Sequence, residues 1–210
     1  MQQIKDASSN FWTNLALYSA PAVLFATTVV LNQPRVLDTI TEWGRNFRDV
    51  TYGQSKGTMY SEIRSTISEV ITGKLYLTGR FGVVKMIAEA AEPLLVISIT
   101  ESSLSLGPEK SNVQIVRIPV LDVPESYLKD HFNAISSQIQ QALENDVKVV
   151  VHCEYGVSRS ATLVLAYLMK EQHMTLTEAH DYLLEKRFWI NPNPGFWSQL
   201  LEYETEQKKE

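Results

Sequence analysis

From residue 66 onward the chain switches between two periods of hydrophobicity. ISEVI and KLYLTG bracket Thr72-Gly73, the signature of a hairpin. Val83, Val84, Ile87 and Ala91 recur at helical spacing, and the pattern stops before Pro93. LLVISIT (94–100) and VQIVRIPV (113–120) are short and rich in β-branched residues, which predicts strands. Leu128, Phe132, Ile135, Ile139 and Leu143 repeat every three or four positions, so an amphipathic helix is predicted over 126–145. VKVVVH lacks polar alternation, as a central strand buried on both faces should. SATLVLAYLMK is apolar nearly all round, the pattern of a helix through the middle of a core. Thr175 with Glu178 forms a capping-box pattern for a helix ending near Lys186. Asn193-Pro194 reads as an N-cap followed by proline at the first helical position. Strands alternate with helices and then only helices follow. This predicts an α/β domain over 66–207, with a central, mostly parallel sheet flanked by helices and a helical C-terminal third.

Residues 1–65 read differently, as an N-terminal extension. LALYSAPAVLFATTVVL (15–31) is almost continuously apolar, at the short limit for a membrane-spanning helix. Only Lys5 precedes it and Asp6 cancels that charge, so it is a poor signal peptide. Two readings stand: a helix packed on the main domain, or membrane association through 15–31. In the second, Arg35, Arg45 and Arg48 would keep the remainder in the cytosol. DVTYGQSKGT (49–58) is polar and glycine-bearing, which suits a linker.

Composition narrows the function classes. A chain of 210 residues, 44% of them apolar, can bury one good core. A net charge of −5 argues against a nucleic-acid partner or a general anionic-membrane binder. One cysteine excludes an intramolecular disulfide, so an intracellular setting, cytoplasmic or nuclear, is expected. A lone thiol is ordinarily just a small buried apolar side chain.

The neighbours of Cys153 change that reading. VVVHCEYGVSRSATLVLAYLM (149–169) places the thiol between a buried strand and a core helix, with EYGVSR between them. Ligands of open α/β sheets bind just beyond the carboxyl ends of strands. A loop there can turn backbone N–H groups inward as an anion nest, to which the next helix adds its N-terminus. Gly156 suits a tight loop, and Arg159 offers a planar donor pair matched to phosphate oxygens. A thiol in such a nest is expected to serve as a thiolate nucleophile for phosphoryl transfer. Taken singly, Gly156 is a turn residue, Arg159 a surface charge, Ser160 a helix cap and His152 a strand-end hydrogen bonder. Their joint spacing is what points to chemistry.

HCEYGVSRS resembles the HCxxGxxRS signature of the cysteine-dependent protein phosphatases, and its flanks resemble the dual-specificity branch. KLYLTG is similar to that branch's early strand, IPVLDVPESYLKDHF to its general-acid loop and RFWINPNPGFWSQLLEYE to its C-terminal segment. The likeness spans about residues 66–205. It implies that Cys153 attacks phosphorus and that Arg159, with the backbone N–H groups of Glu154, Tyr155, Gly156, Val157 and Ser158, binds the phosphate. Ser160 would donate to the departing thiolate, and His152 would orient the loop and help keep the thiol ionised. Asn191 and Asn193 would buttress the loop. No metal and no cofactor is implied, because the loop supplies the positive charge itself.

A leaving alkoxide or phenolate needs an acid from a separate loop. Asp122 in PVLDVPES lies 31 positions before Cys153, as the family pattern places it. Asp130 is the rival, but it falls within the predicted amphipathic helix. Two residues depart from many relatives. Tyr155 stands where a small residue is common, and Glu154 would repel highly anionic inositol lipids. The N-terminal region is too short for an added kinase-docking domain, so a small atypical member is the better match. The implied function is a metal-independent phosphatase of phosphorylated proteins. The alternatives are a phosphatase of a phospholipid or other non-protein substrate, and a non-catalytic phosphoprotein-binding module.

Overall fold

β5 (Lys148–His152) is the strand around which the rest is arranged. In the computed structural model, which describes residues 56–101 and 110–209, it lies at the centre of a five-stranded sheet. The order is β1 (Ile67–Ile71), β2 (Leu75–Thr78), β5, β3 (Leu94–Ile99) and β4 (Val113–Ile118). β1 runs antiparallel to β2, whereas β2, β5, β3 and β4 are mutually parallel. The expected mostly parallel sheet is therefore present. The β1–β2 turn falls on Gly73, whose φ of 72° lies in the left-handed region that glycine enters without steric cost.

Alternate residues serve two layers, as the strand period of two requires. Leu95, Ile97 and Ile99 of β3, with Val149 and Val151 of β5, pack into the main core. Leu94, Val96 and Val150 point the other way, onto Val83 and Ile87 of α2 (Arg80–Glu89). The main core is filled by α3 (Phe132–Glu144), α4 (Arg159–Glu171), α5 (Leu176–Lys186) and α6 (Pro194–Gln207). Every residue of α4 from Arg159 to Met169 is buried, so its all-round apolarity reflects helices on one side and the sheet on the other. Both predicted caps form. Thr175 and Glu178 close a reciprocal capping box, and the Asn193 side chain accepts from the Phe196 N–H.

One boundary differs from the periodicity. The predicted helix over 126–145 becomes a 3₁₀ turn (Lys129–His131) followed by α3 from Phe132. Leu128 is buried as its spacing implied, but its N–H and that of Lys129 donate to Gln199 Oε1 on α6, at 2.7 and 3.0 Å. A side chain 71 residues away has replaced the helical partner of Leu128.

Packing separates Met1–Met59 from Tyr60–Glu210, and the second unit holds the sheet and the helices around it. The chain is already helical at Lys56, in α1 (Lys56–Ser65), inside the stretch that composition assigned to a linker. The apolar segment 15–31 lies outside the described residues. Among those described, no helix is long and apolar enough to cross a membrane.

Candidate active site

The four parallel strands deliver their carboxyl ends to one edge of the sheet. There α2 departs to one face and α4 to the other, which opens the crevice that α/β sheets use for ligands. Cys153 follows β5 directly into this crevice. It is 1% exposed, and its Sγ accepts from the Gly156 N–H and the Ser160 hydroxyl, each at 3.2 Å.

The loop from 154 to 158 is turned inside out by contacts on its outer side. The Glu154 carbonyl accepts from the Arg80 N–H at 3.1 Å and the Val157 carbonyl from the Asn191 N–H at 2.8 Å. Between them, the Tyr155 and Gly156 carbonyls accept from Arg187 Nη2 and Nε at 2.9 and 2.7 Å. In a planar trans peptide the C=O of one residue opposes the N–H of the next. Four consecutive carbonyls drawn outward therefore turn the N–H groups of residues 155–158 inward. Gly156 carries the loop through φ 68°, and a Cβ there would also strike the Thr78 carbonyl carbon at 2.5 Å. The first turn of α4 opens on this ring, and Ser158 makes no side-chain cap to it.

The Ser158 hydroxyl instead donates to Asp122 Oδ1 at 2.6 Å and accepts from the Asn193 N–H at 3.1 Å. Asn193 Nδ2 donates to the same Asp122 oxygen at 3.0 Å. Asp122 is thereby suspended over the loop, with Oδ2 3.5 Å from Arg159 Nε. Arg159 is buried. Its Nη1 donates to the Val120 carbonyl at 3.0 Å and lies 3.5 Å from Glu101, while its Nε has no hydrogen-bond partner among the described residues. Asp130 is exposed on the 3₁₀ turn, apart from this constellation. The acid-bearing loop is further pinned by Gly195, where a Cβ would collide with the Pro124 carbonyl. Gln199, which also accepts from Leu128 and Lys129, donates to the Ser126 carbonyl at 2.8 Å.

Three expectations are modified. His152 does not supply charge to the thiol. Its imidazole is pushed down to about 4, chiefly by burial; the Cys153 carbonyl raises it, and Arg117 and Arg159 lower it further. The neutral ring reaches the Cys153 carbonyl through Nδ1 at 3.3 Å, a contact that serves loop geometry. Asn191 supports the loop with its main-chain N–H. Glu154 does not stand free: Arg64 pairs with it at 2.7 Å. Arg187 and Gln199 lie in the segment RFWINPNPGFWSQLLEYE but, like Arg64, gain no role from sequence, because a lone arginine or glutamine there reads as a solvated surface residue.

The neutral His152 carries a pH dependence. Unfolded, the ring takes a proton near pH 6.5; folded, only near 4. Its contribution to stability is thus complete above pH 6.5 and is lost as pH falls towards 4, to the extent of about 3 kcal/mol. His180, also held low by burial, acts in the same sense. Urea unfolding of wild type and His152→Gln at pH 7 and 4.5 is expected to show about 2–3 kcal/mol less acid loss in the variant. Equal losses would contradict a buried neutral ring.

A family model described as "Dual specificity phosphatase, catalytic domain" matches residues 75–206. Human dual specificity protein phosphatase 18 is 37% identical over 137 residues, which cover 64% of this chain and 71% of that protein. The rat protein of the same name is 44% identical over 93 residues, 44% of this chain and 46% of that one. The matched stretch thus spans between about half and about two thirds of these relatives. The crystal structure of human DUSP28 superimposes with a TM-score of 0.59 at 30% identity, covering 68% of this chain and 95% of that one. With the Cys153 loop, Arg159 and Asp122 all inside the matched residues, the chain belongs to the dual specificity phosphatase catalytic-domain family.

Proposed function

We propose that the chain is a protein phosphatase that hydrolyses phosphotyrosine and phosphoserine/threonine through a cysteinyl-phosphate intermediate. The observation that carries this is Cys153 Sγ, set among inward N–H groups with two donors upon it and Arg159 and Asp122 beside it. The N–H groups of the loop and the Arg159 guanidinium take the three non-bridging oxygens of the phosphate. The Cys153 thiolate attacks phosphorus, the bond from phosphorus to the leaving oxygen breaks, and Asp122 Oδ2 gives its proton to that oxygen. Water then attacks the thiophosphate and passes its proton to Asp122. The S–P bond breaks, Ser160 donates to the departing thiolate, and orthophosphate leaves.

Single-turnover quench with an aryl phosphate tests the reading. Mass spectrometry is expected to find a phosphoryl group on the Cys153 peptide, formed without added metal. Turnover with no such adduct, or turnover that requires a metal ion, would overturn it. Phosphopeptides are expected to turn over faster than phosphoinositide vesicles.

Asp122→Asn should separate acid catalysis from binding. With phenyl phosphate, whose leaving group needs a proton, kcat is expected to fall about 10²-fold. With p-nitrophenyl phosphate, a better leaving group, the fall should be markedly smaller. Equal losses on both would assign the proton to another residue.

A further inference from the structure

Glu154 poses a problem of charge: an acidic side chain follows the nucleophile in a loop built to hold a dianion. Its carboxylate meets Arg64, from the last turn of α1 and outside the residues that match the family. One nitrogen, Nη2, lies 2.7 Å from Glu154 Oε1 in an ion pair and donates to the Tyr155 hydroxyl at 2.8 Å. The guanidinium also lies 4.4 Å from the Tyr155 ring centroid, a cation–π distance. The Phe81 ring lies 5.6 Å away on a different element. Both partners in the ion pair are largely covered, at 27% and 24% side-chain exposure. The backbone of Arg64 is held as well, since a Cβ on Gly79 would meet its Cα at 2.6 Å. That close approach ties α1 to the turn between β2 and α2, beside the loop.

We infer that Arg64 is a positioning residue that masks the Glu154 carboxylate, so that the phosphate loop presents no free negative charge to its ligand. The inference rests on the phosphatase reading of the loop. It makes Glu154 a poor guide to substrate, because the repulsion expected of an acidic loop residue is cancelled by a residue 90 positions earlier. Tyr155 fixes the mask in place through its hydroxyl and ring.

Orthophosphate binding by the full-length chain, measured by titration calorimetry, tests this without requiring turnover. Arg64→Ala is expected to weaken binding about tenfold at low salt, and added salt should narrow the gap. Arg64→Ala combined with Glu154→Gln is expected to return to within about twofold of wild type, and Arg64→Lys to lie between. Thermal melts of each variant report whether the fold is intact. Unchanged phosphate affinity in Arg64→Ala would overturn the inference. So would a loss that Glu154→Gln does not reverse, which would assign Arg64 a packing role only. Hydrolysis of p-nitrophenyl phosphate by the wild type is recorded beside it, so a failure of the phosphatase reading and a failure of the mask give different results.

Discussion

Cys153→Ser is expected to lower kcat for p-nitrophenyl phosphate by on the order of 10⁴-fold or more, with orthophosphate affinity and fold largely kept. The substitution nearly conserves volume at a site that is 1% exposed, so the core around it has little to rearrange. The two donors on Sγ, from Gly156 and Ser160, remain available to the serine oxygen. What changes is the nucleophile. A thiol ionises far more readily than an alcohol and is intrinsically more nucleophilic, and nothing in this loop is placed to take a serine proton. His152, the adjacent imidazole, is neutral but engaged with the Cys153 carbonyl through Nδ1. The loop carbonyls meanwhile stay tied outward by Arg187, Arg80 and Asn191, so the inward N–H ring proposed to bind phosphate survives. Steady-state kinetics with calorimetric phosphate titration separate the two effects. Activity within tenfold of wild type would mean that another group attacks phosphorus.

The parts of this site that were legible in the sequence are those encoded locally. The run Val149–Val151 announced a strand buried on both faces, because a parallel strand at the sheet centre has no solvent side to alternate with. Gly156 is required by the left-handed conformation of the loop itself, and the close approach of the Thr78 carbonyl on β2 adds a second reason that the sequence does not show. Asp122 could be placed through its spacing from Cys153 within the resemblance, and the structure brings it to Arg159 and Ser158. The parts that stayed hidden depend on partners distant in the chain. Phe132 rather than Ser126 opens α3, because Gln199 on α6 takes the hydrogen bonds of the preceding segment. Glu154 changes meaning once Arg64 reaches it from α1. Charge at a position is readable from sequence; whether that charge is paired is a tertiary property.

Arg187 is the extreme case of such dependence, and its removal carries the second large expected effect. It follows α5 in the run RFWINPN, where a single arginine at a helix end reads as a solvated cation. In the fold it is 1% exposed and donates five hydrogen bonds. Its acceptors are the carbonyls of Ile63, Thr66, Tyr155 and Gly156 and the hydroxyl of Ser68, drawn from two stretches of chain, 63–68 and 155–156. Burial lowers its pKa to about 10, which leaves the side chain charged at neutral pH, and the field of Cys153 acts in the opposite direction. Arg187→Ala would strand those acceptors in a space that water cannot readily fill. Each buried unsatisfied group costs about 1–3 kcal/mol, so with partial relaxation a loss of about 3–5 kcal/mol in stability is expected. Activity should fall further than stability explains. Without the pull on Tyr155 and Gly156, the N–H groups of Gly156 and Val157 are free to turn away from the phosphate, and losing one preorganised donor costs about 10²–10³ in rate. Arg187→Lys keeps the charge but not the planar fork that spans five acceptors, so it should recover little of either. Urea unfolding gives the first quantity, and kcat/KM measured well below the melting temperature gives the second. Full activity in a folded Arg187→Lys protein would show that charge near Cys153, and not the outward pull on the loop, is what Arg187 supplies.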